Sequence, residues 1–136
     1  MTTARFLDTN ILLRYFSGDD KTKAEKALAL LMRVERGDER VETSVVVVCE
    51  TIFTLTKSYG VTRSEVKRLL APILQMKNFN LVGKAVCLDA LDVFESNNVS
   101  FADAFNAVYM KSRGMTEVYS WDSDFDRLEG VTRVSP

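Results

Sequence analysis

Hydrophobic positions in this chain alternate between short apolar runs and longer stretches in which apolar residues recur three and four apart. The run Ala4–Leu7 predicts a short buried strand, and Thr9–Phe16 a short helix closed by Ser17-Gly18-Asp19-Asp20. Residues 21–36 place Ala24, Ala27, Leu28, Leu31 and Val34 at helical spacing, and Gly37 stops that helix. Residues 41–43 predict a second strand. The valines 45–48 alone would suggest another strand. Ser44 as an N-cap, the length of the segment and Gly60 beyond it favour a helix from Val45 to about Ser58. Thr62-Arg63-Ser64-Glu65 fits a capping box for the next helix, which Pro72 is expected to kink or end early.

Residues 79–82 predict a third strand, and residues 85–95 a helix with Val86, Ala90, Val93 and Phe94 inward. Ser100 caps a helix that runs to Arg113 and stops at Gly114. Residues 117–120 predict a fourth strand, 122–128 a helical turn and 131–134 a fifth strand. Strands alternate with helices throughout. The expected fold class is therefore α/β, with a short, mostly parallel five-stranded sheet covered on both faces in one domain, 1–136.

Composition narrows the chemistry. The 136 residues, 46% hydrophobic and 27% charged, describe an ordinary globular chain long enough for a proper core. No apolar run approaches the roughly 20 residues that span a bilayer. Acidic Asp8 arrives before any long apolar core, so no signal pattern is expected and the cytoplasm is the expected address. The net charge of −1 gives no general attraction to nucleic acid, so a polyanion would need a local basic patch or a metal-filled site. Histidine is absent, which excludes Ser-His-Asp and Cys-His catalysis and imidazole zinc sites. A general base must be a carboxylate, a lysine or a metal-bound hydroxide. Cys49 and Cys87 both lie in apolar stretches and read as core residues.

Four acids stand out by position. Asp8 ends the first apolar run, Glu50 interrupts the apolar segment 45–53, Asp103 lies inside Phe101-Ala102-Asp103-Ala104-Phe105, and Asp122 follows Val118-Tyr119-Ser120-Trp121. Buried carboxylates are paired or bind a cation, so four gathered at one point would suit a hard divalent metal ion. In open α/β sheets the functional crevice lies beyond the carboxyl ends of the strands, where Asp8 and Asp122 are expected to point. Glu50 has Val46, Val47, Phe53 and Thr54 on its helical face, which predicts an inward position. Asp103 shares its face with Asn106 and Ala107, small and polar enough for a site wall. Each acid also has a local explanation. Asp8 suits an N-cap, Glu50 a backbone or lysine partner, Asp103 the positive end of a helix, and Asp122 a turn.

Taken in order, Asp8-Thr9-Asn10, Glu50, Phe101-Ala102-Asp103-Ala104 and Ser120-Trp121-Asp122-Ser123-Asp124-Phe125 resemble the PIN domain, and more narrowly the VapC-type toxins of toxin–antitoxin modules. The resemblance covers essentially the whole chain. It implies a three-layer α/β/α sandwich and a Mg²⁺- or Mn²⁺-dependent endoribonuclease. Asp8, Glu50, Asp103 and Asp122 would form its acidic quartet, with Asp124 as an auxiliary acid and Thr9, Asn10 and Ser120 as polar supports. It also implies a homodimer and an antitoxin whose extended tail fills the crevice. Trp121 departs from the pattern, since the family often has Phe or a smaller residue there. Asp126 is expected to be a solvated acid.

Expected RNA-contacting cations are Arg14, Lys21, Lys57, Arg113 and Arg127, with Trp121 and Tyr15 as candidates for stacking on bases. Apolar Val48, Phe53, Leu55, Leu69, Leu70, Ile73 and Leu74 exceed what a small core is expected to use, which points to a dimer face. A non-catalytic RNA- or protein-binding module of the same fold is the alternative, and the complete quartet argues against it. A phosphoryl-accepting domain lacks its clustered first-strand acids and late lysine here. No Gly-x-Gly-x-x-Gly follows a strand, which disfavours dinucleotide binding.

Overall fold

The computed structural model describes residues 3–136. Five strands and six α-helices alternate among them. In chain order they are β1 (Arg5–Phe6), α1 (Thr9–Ser17), α2 (Lys21–Arg36), β2 (Val41–Thr43), α3 (Val45–Lys57), α4 (Arg63–Leu74), β3 (Phe79–Leu81), α5 (Lys84–Ser96), α6 (Phe101–Ser112), β4 (Glu117–Tyr119), a 3-10 turn (Ser123–Arg127) and β5 (Thr132–Val134). The α/β class read from the alternation holds. All pairings are parallel: β1-β2-β3 form a three-stranded sheet and β4-β5 a two-stranded one. No helix among the described residues is long and apolar enough to cross a membrane.

Contacts divide the chain into two compact units, one ending at Lys84 and the other beginning at Ala85. In the first unit, α1 packs on α2 and α3, and α4 packs on α3 and β3. Polar side chains fix where these helices start. Asp20 accepts the Lys23 amide at 3.0 Å, Ser44 the Val47 amide at 3.4 Å and Thr62 the Glu65 amide at 3.3 Å. Gly18 and Gly37 close α1 and α2 with φ of 66° and 87°, a conformation that costs a side-chain-bearing residue more. Pro72 lies inside α4, which ends two residues later at Leu74.

The core of this unit holds Leu12, Leu31, Val34, Val48, Ile52, Leu55, Val66, Leu70, Leu74 and Phe79, all at most 3% exposed. Each such side chain contributes about 1.5–3 kcal/mol by leaving water. Val48, Leu55, Leu70, Ile73 and Leu74, read from the sequence as surplus apolar residues, are thus core residues. Phe53 remains exposed. The opening strand also differs from expectation, because β1 is only two residues long and both its side chains are exposed. Leu7 takes the inward position, so the adjacent Phe6 points the other way.

The second unit packs α6 and β5 on the 3-10 turn, with β4 paired to β5. Its buried residues include Cys87, Ala90, Leu91, Phe94, Val99, Phe101, Ala104, Met110, Phe125 and Leu128. Phe94 meets Phe101 edge-on, with centroids 6.1 Å apart and planes at 74°. That contact seats the first turn of α6. Cys87 is buried in α5. Cys49, in α3, is half-buried, and burial pushes its thiol pKa up, away from reactivity.

Candidate metal centre

Asp103 reaches the site from the third position of α6. Ser100 caps that helix by accepting the Asp103 amide at 3.1 Å, so the helical first turn and the carboxylate's position are set together. Asp122 arrives from the other side of the same unit, just after β4. Its own amide donates to Ser120 Oγ at 2.9 Å, and its Oδ1 accepts the Asp124 amide at 2.9 Å. This Asx-type turn opens the 3-10 turn and places Asp122 and Asp124 side by side. Phe125 and Leu128, both buried, anchor the turn in the core.

One oxygen from each of Asp103, Asp122 and Asp124 lies within 4.8 Å of the others. At that separation two carboxylates repel by about 3–4 kcal/mol at an effective dielectric near 20, less where solvent screens them. The strain is visible at Asp103. Partial burial, and then the neighbouring Asp122 and Asp124 charges, hold its pKa above the ordinary carboxylate range, against an opposing hydrogen bond from Ser100. Arg127 offsets part of the excess. Its Nη1 pairs with Asp124 and also donates to the Asn98 carbonyl at 3.1 Å. Arg133, paired with Asp126, also attracts Asp122, and four acids beside two guanidinium groups leave the cluster anionic. An all-oxygen donor set with excess negative charge fits a hard divalent cation such as Mg²⁺ or Mn²⁺.

A PIN domain profile matches residues 5–131. The chain belongs to the PIN-domain family. It is also similar to the VapC ribonuclease of Aquifex aeolicus (strain VF5), with 26% identity over 132 residues, 97% of this chain and 96% of that protein.

Two other acids of this PIN-domain chain, Asp8 and Glu50, belong to the unit that ends at Lys84. The backbone before Asp8 is locked on both sides. The Leu7 amide donates to the Glu42 carbonyl at 2.9 Å, and Thr43 Oγ1 donates to the Leu7 carbonyl at 2.7 Å. Asp8 occupies the N-cap position of α1, yet its carboxylate accepts no capping hydrogen bond. The capping explanation for this acid therefore fails. Beside it Thr9 is buried, and its hydroxyl lacks a hydrogen-bond partner among the described residues. Leaving such a group unsatisfied costs about 1–3 kcal/mol. Asn10 is exposed.

The inward position predicted for Glu50 is a correction. Glu50 is exposed, as are Val46 at 60% and Phe53 at 64% on the same side of α3. The buried stripe runs through Val47, Val48, Thr51, Ile52 and Leu55 instead. With apolar residues on nearly every side of this helix, neighbours three and four positions away do not reveal which face is inward.

The expected substrate cations sit in different settings. Lys21, Lys57 and Arg113 are exposed, and the Arg113 guanidinium lies 6.0 Å from the Tyr109 ring centroid. Arg14 is half-buried in the last turn of α1. Tyr15 packs against Phe16, with centroids 5.1 Å apart. Asn106 is exposed on α6. Arg127 is committed to Asp124. Asp126 is not simply a solvated acid, because Arg133 grips it through two nitrogens at 3.1 and 2.9 Å. That pairing lowers the Asp126 pKa. No sequence signal marks the Arg133–Asp126 pair, whereas Arg127 sits three residues after Asp124, at helical contact spacing.

The raised Asp103 pKa fixes a sign. The folded state holds this proton more tightly than the unfolded chain does, so ionised Asp103 destabilises the fold above its folded pKa. The cost fades as pH falls through that value and is gone below the ordinary Asp pKa of about 3.9. In EDTA, Asp103→Asn is expected to melt at a higher temperature than the wild type at neutral pH, with the difference closing by about pH 3. Thermal melts followed by circular dichroism across this range check the sign, and a lower neutral-pH Tm for the variant contradicts it.

Proposed function

We propose that this protein is a Mg²⁺- or Mn²⁺-dependent endoribonuclease, hydrolysing RNA phosphodiester bonds as the toxin of a type II toxin–antitoxin pair in the cytoplasm. The observation that carries the reading is the three-carboxylate cluster in a PIN-domain chain that is similar to a VapC ribonuclease along nearly its whole length. Asp103, Asp122 and Asp124 would hold the cation. Asp8 and Glu50 complete the proposed acidic set from the unit ending at Lys84, so the reading treats 1–136 as one working domain.

When bound, a divalent cation supplies charge neutralisation at the phosphate and a water of lowered pKa. The chain's own residues set the conditions for that chemistry. Ser100 and Ser120 fix the two backbone segments that present the acids. Arg127 orients Asp124 rather than reaching for substrate, and so acts as a positioning residue. Partial burial and then its neighbours' charges make Asp103 take up a proton more readily than an ordinary carboxylate, and a bound cation would offset both. Arg14, Lys57 and Arg113 are the cations offered to the RNA backbone. Thr9, Asn10 and Asn106 are proposed as polar supports of the site.

A homodimer is part of the proposal. Val46 and Phe53 are exposed apolar residues on the side of α3 that also carries charged Glu50 and Lys57, a pattern that suits a second copy. The proposed antitoxin would cover the acidic crevice with an extended tail.

Incubating the purified protein with a mixed RNA pool in Mg²⁺, Mn²⁺ or EDTA, and mapping the cut ends, tests the activity. Discrete cuts are expected with either metal and none in EDTA. Asp103→Asn is expected to lose roughly 100-fold or more, while Asp126→Asn keeps most of the activity because Arg133 already neutralises that acid. Cutting that survives EDTA contradicts the metal-dependent reading. For the assembly, light scattering on a sizing column is expected to give twice the 15.3 kDa chain mass and a smaller species for Phe53→Glu. A wild type that stays at chain mass at high concentration removes the dimer.

A further inference from the structure

The chain's single tryptophan, Trp121, directly precedes Asp122 of the acidic cluster. It is 78% exposed, and Tyr119, two residues earlier, is 77% exposed. Along this segment residues 117, 119 and 121 are exposed while 118 and 120 are half-buried. Two large aromatic residues, about 6–7 Å apart along an extended backbone, are therefore both exposed just before Asp122.

The backbone beneath them is held at three points. The Ser120 amide donates to the Val134 carbonyl at 3.3 Å, Arg133 Nη1 donates to the Trp121 carbonyl at 3.2 Å, and the Asp122 amide donates to Ser120 Oγ. Arg133 is itself fixed by its two bonds to Asp126. Two large rings are therefore displayed in water from a rigid base, where core packing gains nothing from them.

The geometry points to Trp121, with Tyr119 beside it, as a stacking platform for unpaired bases of single-stranded RNA whose phosphate lies at the acidic cluster. This rests on the ribonuclease reading above. One sugar joins a base to its phosphate, and Trp121 and Asp122 are both exposed neighbours in the chain, so a strand with a phosphate at the cluster has a base within a nucleotide's reach of this segment. The chain's net charge of −1 supplies little general attraction for RNA, so stacking adds to what the proposed local cations and metal site provide. Stacking on aromatic rings tolerates any base and selects strands whose bases are not already paired. Trp121 is thus a substrate-positioning residue that favours unpaired regions at the cut site.

The single tryptophan provides its own probe. Its emission is followed while random-sequence single-stranded RNA of about 12 nucleotides is added to wild-type protein in EDTA, and to Asp103→Asn protein in Mg²⁺. Saturable quenching is expected with the single strands, and little with an RNA duplex of equal length or with heparin, a polyanion without bases. In the cleavage assay Trp121→Ala is expected to raise KM about tenfold, within the range for loss of one stacked base, with a smaller effect on kcat. Trp121→Phe is expected to recover most of that loss. Cutting without quenching, equal quenching by heparin, or an unaltered KM in Trp121→Ala overturns the platform and assigns the exposed indole to a protein partner. Quenching without cutting supports the platform and removes the nuclease reading instead.

Discussion

Crowding of like charge is the constraint on which the site depends. Folding brings one carboxylate from α6 to within 4.8 Å of two from the turn after β4, with Arg127 paired to Asp124 and Arg133, on Asp126, also feeling Asp122. Nothing in a folded chain gathers acids in this way without an opposing force. Here that force is packing: Phe101 and Phe94 seat the start of α6, while Phe125 and Leu128 bury the back of the turn. Partial burial first, and repulsion from Asp122 and Asp124 second, raise the pKa of Asp103. A cluster of acids that costs stability while unneutralised matches binding sites that keep local strain for function.

The same turn shows how the fold separates structural acids from site acids. Asp122, Asp124 and Asp126 are spaced two apart, so chain position alone treats them alike. Asp122 and Asp124 are joined by an Asx hydrogen bond and share the cluster. Asp126 is instead held by Arg133 from β5, through two hydrogen bonds. Arg133 also binds the Trp121 carbonyl, so one side chain ties the neutralised acid to the backbone that displays the indole. Arg127 acts in the same way on the opposite flank, linking Asp124 to the Asn98 carbonyl just before α6.

Much of the fold was legible because its signals are local. Ser44, Thr62 and Ser100 each cap the helix that their side chains predict, and Gly18 and Gly37 close theirs in the left-handed region. These are interactions within four residues, written directly in the sequence. The orientation of Glu50 was not legible. Valines on either side of it give no contrast between faces, and only tertiary packing decides that Val47, Val48, Thr51, Ile52 and Leu55 turn inward. The strand expected at 4–7 is there, as Arg5–Phe6, but its burial was not legible, because so short a run cannot announce which side is covered. Within the site, Asp103 and Asp122 were visible as acids in apolar settings. The full membership of Asp124 and the grip of Arg133 on Asp126 depend on side-chain geometry that no spacing rule encodes.

The most direct test of the cluster is calorimetric titration of Mn²⁺ into the RNA-free protein at neutral pH, with Asp103→Asn, Asp122→Asn and Asp126→Asn in parallel. The expected result is saturable binding by the wild type and by Asp126→Asn, weakened about tenfold or more in the other two variants. Equal Mn²⁺ affinity in all four proteins, or none in the wild type, would mean that these crowded carboxylates are not a cation site.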